Sequence, residues 1–299
     1  MLIDLGYSKP LFILPFDHRE SFVSKLLGGN GDGLRVKELK QIIYDGFSRA
    51  VEKKMIPHSN AAILVDEEFG DAILRQAKKN GHLICLSTEK SGQTEFSFEY
   101  GDEFAQHIKK YDPDFVKALV RYNPAGDHEL NIRQQARLKI LSEWCHRSGY
   151  KFLLEVLISA TAEEVDEGMD VKIFDEDTRP KLALQMVREL HDSGVDPDVW
   201  KVEGFVSQNS YKELVNRIQS EGRENVGLII LGRGGNGVDV ERWLRSGHGV
   251  QGVIGFAVGR TIFWQALKDY LSAKINRDQA VEVICKNYTH FYKVFTNNL

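Results

Sequence analysis

The sequence has little of what marks secreted, membrane-spanning or disulfide-stabilised proteins. Only three of its 299 residues are cysteine, a sparse and odd number that argues against a disulfide framework or a zinc knuckle. Its apolar runs are short, and the first, Leu11–Phe16, is ended by the charged residues that follow it. That run is too short for a signal segment or a membrane span. We therefore expect a soluble protein that stays in the cytoplasm.

The charge of the chain is also unremarkable. Its formal net charge is -4, with acidic and basic residues interspersed, so it offers no basic surface for nucleic acid or for an anionic membrane. The nine histidines show no metal-ligand spacing such as His-Glu-x-x-His, so we expect neither a metal nor a cofactor. A small anionic molecule is the expected partner, because a few local cations suffice to bind one. Homo-oligomerisation stays open.

What the sequence does contain is an alternation of short apolar runs with longer segments of helical period. Eight strand–helix units imply parallel strands joined by right-handed crossovers, and such units close into a barrel of about 250 residues. We predict an α/β fold, a single (β/α)₈ barrel domain over residues 1–299 with a C-terminal helical extension at about 276–299. The predicted strands are Leu11–Phe16, Ala61–Val65, His82–Leu86, Phe115–Val120, Phe152–Ile158, Val199–Val202, Val226–Leu231 and Gly252–Val258.

Ionisable residues stand inside or at the ends of these apolar strands, where such residues are rare. Lys117, Glu155 and Lys201 lie within the fourth, fifth and sixth strands, while Asp17 and Glu89 follow the first and third. The interior near the mouth of the barrel is the place where water can reach such charges, so we expect the three strand residues to cluster. Two ammonium groups around one carboxylate should depress the pKa of at least one lysine, as imine formation requires.

Three features allow more than one interpretation. The clustered strand charges are either a catalytic centre or a buried ion-pair network that braces the barrel. Glu203, two residues beyond Lys201, either competes as the acid/base or pairs with a rim cation such as Arg233. The insertions Ser91–Glu103 and Ser159–Arg179 follow the third and fifth strands, on the face where barrel enzymes keep their active sites, and each is a solvated loop or a lid.

Glycine–arginine pairs follow the last two strands. Gly232-Arg233 comes after the seventh strand, and Gly259-Arg260 comes after the eighth, just before a predicted helix. Loops in these positions form the usual phosphate site of such barrels, where backbone N–H groups and a helix N-terminus point at the anion. Arginine adds a bidentate fork for phosphate. We therefore predict a phosphate site here.

These segments resemble the class I aldolase family that includes tagatose-1,6-bisphosphate aldolase and sulfofructose-phosphate aldolase. The resemblance runs from the first predicted strand to the eighth, and it is strongest with the aldolase-like domain that follows a sugar kinase in inositol-catabolism proteins. The matching segments are Phe16-Asp17-His18-Arg19, Asp66-Glu67-Glu68-Phe69-Gly70, Glu89-Lys90-Ser91-Gly92, Val116-Lys117-Ala118-Leu119, Glu155, Lys201 and Gly259-Arg260.

The resemblance implies a metal-independent lyase that acts on a phosphorylated ketose or keto-sugar acid. One such substrate is 5-dehydro-2-deoxygluconate 6-phosphate, which would yield dihydroxyacetone phosphate and malonate semialdehyde. Lys201 would form the Schiff base, and Glu155 would be the acid/base for the carbinolamine hydroxyl. Asp17 and Lys117 would hold substrate hydroxyls. The substrate- and phosphate-binding set would be Arg260, Gly259, Gly232, Arg233, Arg19 and Glu89.

The chain departs from the aldolase pattern at two places. His18 stands where those sugar-bisphosphate aldolases carry Gln, and Gly232-Arg233 stands where they carry a small hydroxyl residue. Both differences affect substrate recognition rather than the lysine chemistry. Two other functions are compatible with the same residues: a sugar-phosphate isomerase or epimerase that uses Glu155, and a non-catalytic sugar-phosphate-binding module.

Overall fold

A computed structural model describes residues 5–29, 32–161 and 171–298. Eight parallel strands form a closed barrel in chain order, and the first strand pairs with the last to close it. The predicted (β/α)₈ barrel is thereby confirmed. The strands are β1 Leu11–Pro15, β2 Ala61–Val65, β3 Leu83–Ser87, β4 Phe115–Arg121, β5 Lys151–Leu157, β6 Val199–Glu203, β7 Gly227–Leu231 and β8 Val253–Ala257.

Helices follow the strands and cover the barrel. The final helix lies beyond the eighth strand–helix unit and packs against the first helix and its own predecessor. No helix in the described ranges is long and apolar enough to cross a membrane. The longer helices are α1 Gly33–Glu52, α2 Glu67–Lys79, α3 Phe104–Tyr111, α4 His128–Ser148, α5 Arg179–Asp192, α6 Gln208–Ile218, α7 Gly237–Gly247, α8 Arg260–Leu271 and α9 Arg277–Thr296.

Helix α3, in the third strand–helix unit, is the shortest of these helices. It has eight residues, of which Ile108 and Tyr111 are buried, fewer than the roughly 11 residues over which a helical period is read from a sequence. The predicted insertion Ser91–Glu103 precedes it. An antiparallel bridge between Glu89 and Phe98 joins this insertion to the segment that follows β3, and residues 89–98 form what we call the hairpin after β3. Part of the other insertion, Ser159–Arg179, lies outside the described residues, at 162–170.

The interior of the barrel changes from apolar to charged along its axis. On β6 the inward side chains are Val199, Lys201 and Glu203, because side chains alternate along a strand. Val199 belongs to an apolar floor, whereas Trp200 points outward into the core beneath the helices. The charged residues therefore lie above this apolar floor, toward the carboxyl ends of the strands. The floor consists of Leu11, Ile13, Ala62, Leu64, Cys85, Phe115, Leu153, Val199, Ile229 and Ala257.

Candidate active site

Lys117 lies at the centre of the charged cluster above this floor. Its Nζ is 2.8 Å from Asp17 Oδ2, 2.5 Å from Glu89 Oε1 and 2.9 Å from Glu155 Oε2. The Lys117 side chain is 0% exposed. Three carboxylates, one within β5 and two just after β1 and β3, thus enclose one ammonium group.

Lys201 shares one of these carboxylates. Its Nζ lies 2.8 Å from Glu155 Oε2, the same oxygen that contacts Lys117. The contact follows from the sheet, since Glu155 on β5 is directly paired in register with Lys201 on β6. The structure therefore brings together the three strand residues that the sequence predicted to cluster.

A cavity of about 510 Å³ opens over this cluster at the mouth of the barrel. Asp17, Glu89, Glu155 and Lys201 line it, whereas the Lys117 side chain is sealed beneath them. A ligand in the cavity can therefore reach the Lys201 amine but meets Lys117 only through its carboxylate partners.

The pKa values of the cluster follow from burial and from Lys117. Burial raises the pKa of Asp17 and of Glu155, but the attraction of Lys117 and Lys201 together outweighs it and holds both below their usual range. For Glu89 burial prevails, with repulsion from Asp17, and its pKa is raised. Burial lowers the pKa of Lys117, yet its three carboxylates raise it well above the ordinary value. Lys117 is therefore not the lysine whose pKa is depressed, because three carboxylates surround it rather than one.

A third buried lysine was missed by the sequence analysis. The amino group of Lys40, on α1, donates to the Asp66 carboxylate, and both side chains are almost fully buried. Asp66 in turn accepts the Phe69 backbone N–H at the start of α2. Burial lowers the pKa of Lys40. The sequence could have shown that Lys40 is buried, because it shares one face of α1 with Val36 and with the buried residues that follow at helical spacing.

The predicted phosphate site is formed in part. Gly259 and Arg260 line the cavity, with Arg260 as the first residue of α8. Its guanidinium Nη2 donates to the Arg233 carbonyl oxygen at 3.0 Å and lies flat against Gly234. Gly232 lies outside the cavity lining that the described residues form, and its N–H pairs with β8.

Glu203 is paired with cations at the rim, one of the two alternatives that the sequence left open. Its Oε1 lies 3.0 Å from Arg233 Nε and 3.2 Å from Arg179 Nη1, while its Oε2 accepts the Ile158 N–H at 2.9 Å. Asp175 binds the same two arginines. Arg233 is thus engaged by carboxylates at the edge of the cavity.

Arg19 ties the loop after β1 to the hairpin after β3. Its Nη1 lies 2.6 Å from Glu99 Oε2, and its Nη2 donates to the Glu89 backbone carbonyl. The residue is 7% exposed, so both terminal nitrogens are bound within the protein. The structure therefore gives Arg19 a role in holding the cavity wall.

His18 also lines the cavity, and its imidazole is neutral at physiological pH because burial lowers its pKa to about 4. Its Nδ1 has no hydrogen-bond partner among the described residues. It can therefore offer one neutral polar contact to a ligand. In the part of the chain that the structure describes, no three His, Cys, Asp or Glu side chains are grouped so as to hold a metal ion.

The fold and this site define a (β/α)₈ barrel with a buried lysine–carboxylate cluster beneath a cavity at its mouth. The chain belongs to the family described as "Uncharacterized protein conserved in bacteria (DUF2090)", which matches residues 6–298. Tagatose 1,6-diphosphate aldolase 1 of Streptococcus mutans is 28% identical over 158 residues, which cover 51% of this chain and 47% of that protein. The match thus spans about half the length of this curated relative.

Solved structures resemble the chain over nearly its whole length. Protein Cgl0159 of Corynebacterium glutamicum has a TM-score of 0.62 at 16% identity and covers 97% of this chain and 87% of its own. A Schiff base-forming fructose-1,6-bisphosphate aldolase reaches 0.57 at 13% identity, covering 96% and 94%. An archaeal fructose 1,6-bisphosphate aldolase reaches 0.59 at 12% identity, covering 97% and 95%. At these identities the likeness shows the fold.

Proposed function

We propose that the chain is a class I aldolase, which cleaves a phosphorylated ketose or keto-sugar acid through a Schiff base on Lys201 and needs no metal. One observation carries this proposal. A lysine that lines the cavity donates to a buried carboxylate, and that carboxylate is shared with a second, sealed lysine. A nucleophilic amine beside an acid/base group is the arrangement that imine chemistry requires.

The two lysines are suited to different roles. Lys117 is held by three carboxylates, which keep it protonated, and it is closed off from the cavity. Among the described residues, Lys201 contacts one carboxylate, that of Glu155, and it lines the cavity. A proton that leaves Lys201 can pass over 2.8 Å to Glu155, which frees the amine for attack on a carbonyl carbon.

Cleavage then follows from these positions. Lys201 adds to the substrate ketone, and Glu155 returns a proton to the carbinolamine hydroxyl, which leaves as water and gives the protonated imine. The imine accepts the electron pair of the breaking C–C bond. Asp17 holds a substrate hydroxyl and Arg260 binds the phosphate. Lys117, which the sequence assigned to a substrate hydroxyl, is sealed below the cavity and acts through its carboxylate partners instead.

For the substrate, the phosphate loops and the resemblance support two chemical types. One is a ketose bisphosphate of the kind named for the tagatose- and fructose-bisphosphate aldolases. The other is 5-dehydro-2-deoxygluconate 6-phosphate, which follows from the resemblance to inositol-catabolism proteins and would yield dihydroxyacetone phosphate and malonate semialdehyde. Parallel assays of both types decide between them.

The test is chemical trapping. Borohydride reduction in the presence of dihydroxyacetone phosphate should leave a stable adduct, and peptide mass mapping should place it on Lys201. Lys201→Met should abolish both the adduct and turnover, whereas Lys78→Met, at an exposed surface ion pair, should change neither. If a substrate is turned over and no adduct forms, the isomerase or epimerase function is favoured. An adduct on Lys117 would reverse the roles of the two lysines.

A further inference from the structure

The proposed cleavage needs a base that takes the proton from the hydroxyl beyond the scissile bond. Glu155 is poorly suited to that step, because its Oε2 already lies within 2.9 Å of the ammonium groups of both Lys117 and Lys201. We infer that Glu89 is the carboxylate that accepts this proton. The inference rests on the proposed aldolase function and adds to it a base on a different strand.

The two oxygens of the Glu89 carboxylate have different surroundings. Oε1 accepts from Lys117 Nζ at 2.5 Å. Oε2 is buried and has no hydrogen-bond partner among the described residues. Glu89 lines the cavity and is 9% exposed. One oxygen is thus anchored by the protein, while the other is left for a donor that arrives in the cavity, and a buried acceptor without a partner is rare in native proteins.

The backbone around Glu89 is held as firmly as the carboxylate. Arg19 donates to its carbonyl oxygen, and an antiparallel bridge joins Glu89 to Phe98 across the hairpin. The N–H of Lys90 donates to the Ser97 carbonyl at 2.9 Å. A base must lie within hydrogen-bond reach of the proton it takes, so a fixed backbone at this position favours the role.

The strand order places Glu89 at the correct end of a bound substrate. Arg260 follows β8, Lys201 is on β6, and Glu89 follows β3, nearly across the closed ring from Arg260. A substrate with its phosphate at Arg260 and its carbonyl carbon at Lys201 therefore extends toward the β3 side. The hydroxyl beyond the scissile bond belongs to that distal half.

The groups around Glu89 also favour proton acceptance. Lys117 on β4 attracts the carboxylate, Asp17 after β1 repels it, and Arg19 faces its backbone carbonyl. Burial together with Asp17 outweighs Lys117 and raises the pKa of Glu89, whereas the pKa of Glu155 is lowered. Glu89 is therefore the stronger base of the two once it is ionised.

The step balances as follows. The hydroxyl proton passes to Glu89 Oε2, the C–C bond breaks, and its electron pair enters the iminium on Lys201. This gives an enamine and releases an aldehyde. The enamine carbon then takes up the proton that Glu89 returns, directly or through water. The water equivalent that imine formation released hydrolyses the resulting iminium to the second carbonyl product and free Lys201, and no oxidant or reductant is required.

The experiment separates imine formation from C–C cleavage. In Glu89→Gln the side-chain carbonyl can still accept from Lys117, so borohydride trapping with dihydroxyacetone phosphate should stay within about twofold of wild type, while cleavage should fall at least about 100-fold. Glu155→Gln should lose trapping itself. Glu143→Gln is the control, since this exposed carboxylate on α4 pairs with Arg147 and does not line the cavity, and it should keep both reactions.

The possible results are distinguishable. Wild-type cleavage by Glu89→Gln, with trapping intact in wild type, would overturn the role of Glu89 and leave the aldolase function standing. No imine in wild type would overturn the aldolase function itself. Joint loss of trapping and thermal stability in Glu89→Gln would mean that Glu89 only anchors Lys117, which also refutes the inference. Glu89→Asp should retain part of the cleavage activity. In wild type the acidic limb of the kcat–pH profile should have its midpoint above the usual glutamate pKa of about 4.3, and Glu89→Asp should shift that midpoint.

Discussion

The most demanding test of the charged cluster is the replacement of Lys117 by Met. The substitution removes the ammonium group that contacts Asp17, Glu89 and Glu155, each within 2.9 Å. It leaves three carboxylates around an apolar side chain. Breaking a buried ion pair by removal of one partner costs about 3–5 kcal/mol. We expect Lys117→Met to lower the free energy of unfolding at about pH 8 by this amount.

The loss should depend on pH, and its sign follows from the pKa shifts. In wild type the pKa of Asp17 and of Glu155 is lowered, so the stability they contribute is present above their unfolded values of about 4 and is lost only at lower pH. Without Lys117, burial and mutual repulsion raise both pKa values above the unfolded ones. The folded variant then takes up protons as the pH falls, so its deficit should shrink between about pH 8 and about pH 5.5.

The measurement is urea unfolding of both proteins at the two pH values. The control is Lys78→Met, whose partner Asp112 is exposed and whose loss should cost about 0–1 kcal/mol at both. Turnover should slow, yet some imine trapping on Lys201 should remain. A deficit of the control's size, or one that does not change with pH, would refute the idea that Lys117 neutralises the three carboxylates.

Three further predictions concern the loops after β7 and β8 and the absence of a metal requirement. Arg260→Ala should cost about 1.5–3 kcal/mol of transition-state stabilisation, measured as a lower kcat/KM for the phosphorylated substrate, because a charge-assisted contact is lost. Wild-type kinetics in this variant would mean that the phosphate binds elsewhere. Gly234→Ala should destabilise the fold by about 1–2 kcal/mol, because Gly234 has φ +71° and a Cβ there would lie 2.6 Å from Arg260 Nη2. It should also lower kcat/KM, whereas Gly237→Ala, with open space at its Cβ, should do neither. Activity should survive exhaustive chelation by EDTA, and a loss that zinc or magnesium restores would contradict metal-independent cleavage.

The barrel could be predicted because its strands carry a strong signal. Strands of a parallel barrel are covered on both faces, so they read as unbroken apolar runs bounded by polar residues. All eight predicted strands overlap the observed ones. Helix α3 shows the limit, since its eight residues are fewer than the roughly 11 over which a helical period is read, although Phe104, Ile108 and Tyr111 have helical spacing. Length, rather than composition, hid it.

The cluster could be predicted only where the strand period applies. Lys117, Glu155 and Lys201 lie within neighbouring strands, so alternation of side chains was enough to place them together. Asp17 and Glu89 follow the last residues of β1 and β3, where alternation no longer fixes the direction of a side chain. Both turn onto Lys117, and together with Glu155 they raise its pKa against the effect of burial.

The same limit explains why Lys201 and Glu203 have different surroundings, although they lie two residues apart on one face of β6. Lys201 meets Glu155 because the register between β5 and β6 pairs them, and that register follows from the strands themselves. Glu203 is one step higher, at the rim, where its partners are Arg179 from the start of α5 and Arg233 from the loop after β7. Those arginines arrive from segments whose paths strand periodicity does not determine. A carboxylate at a barrel mouth can therefore be located from its strand, but its partners, and with them its suitability as an acid or base, depend on loops that only the folded chain reveals.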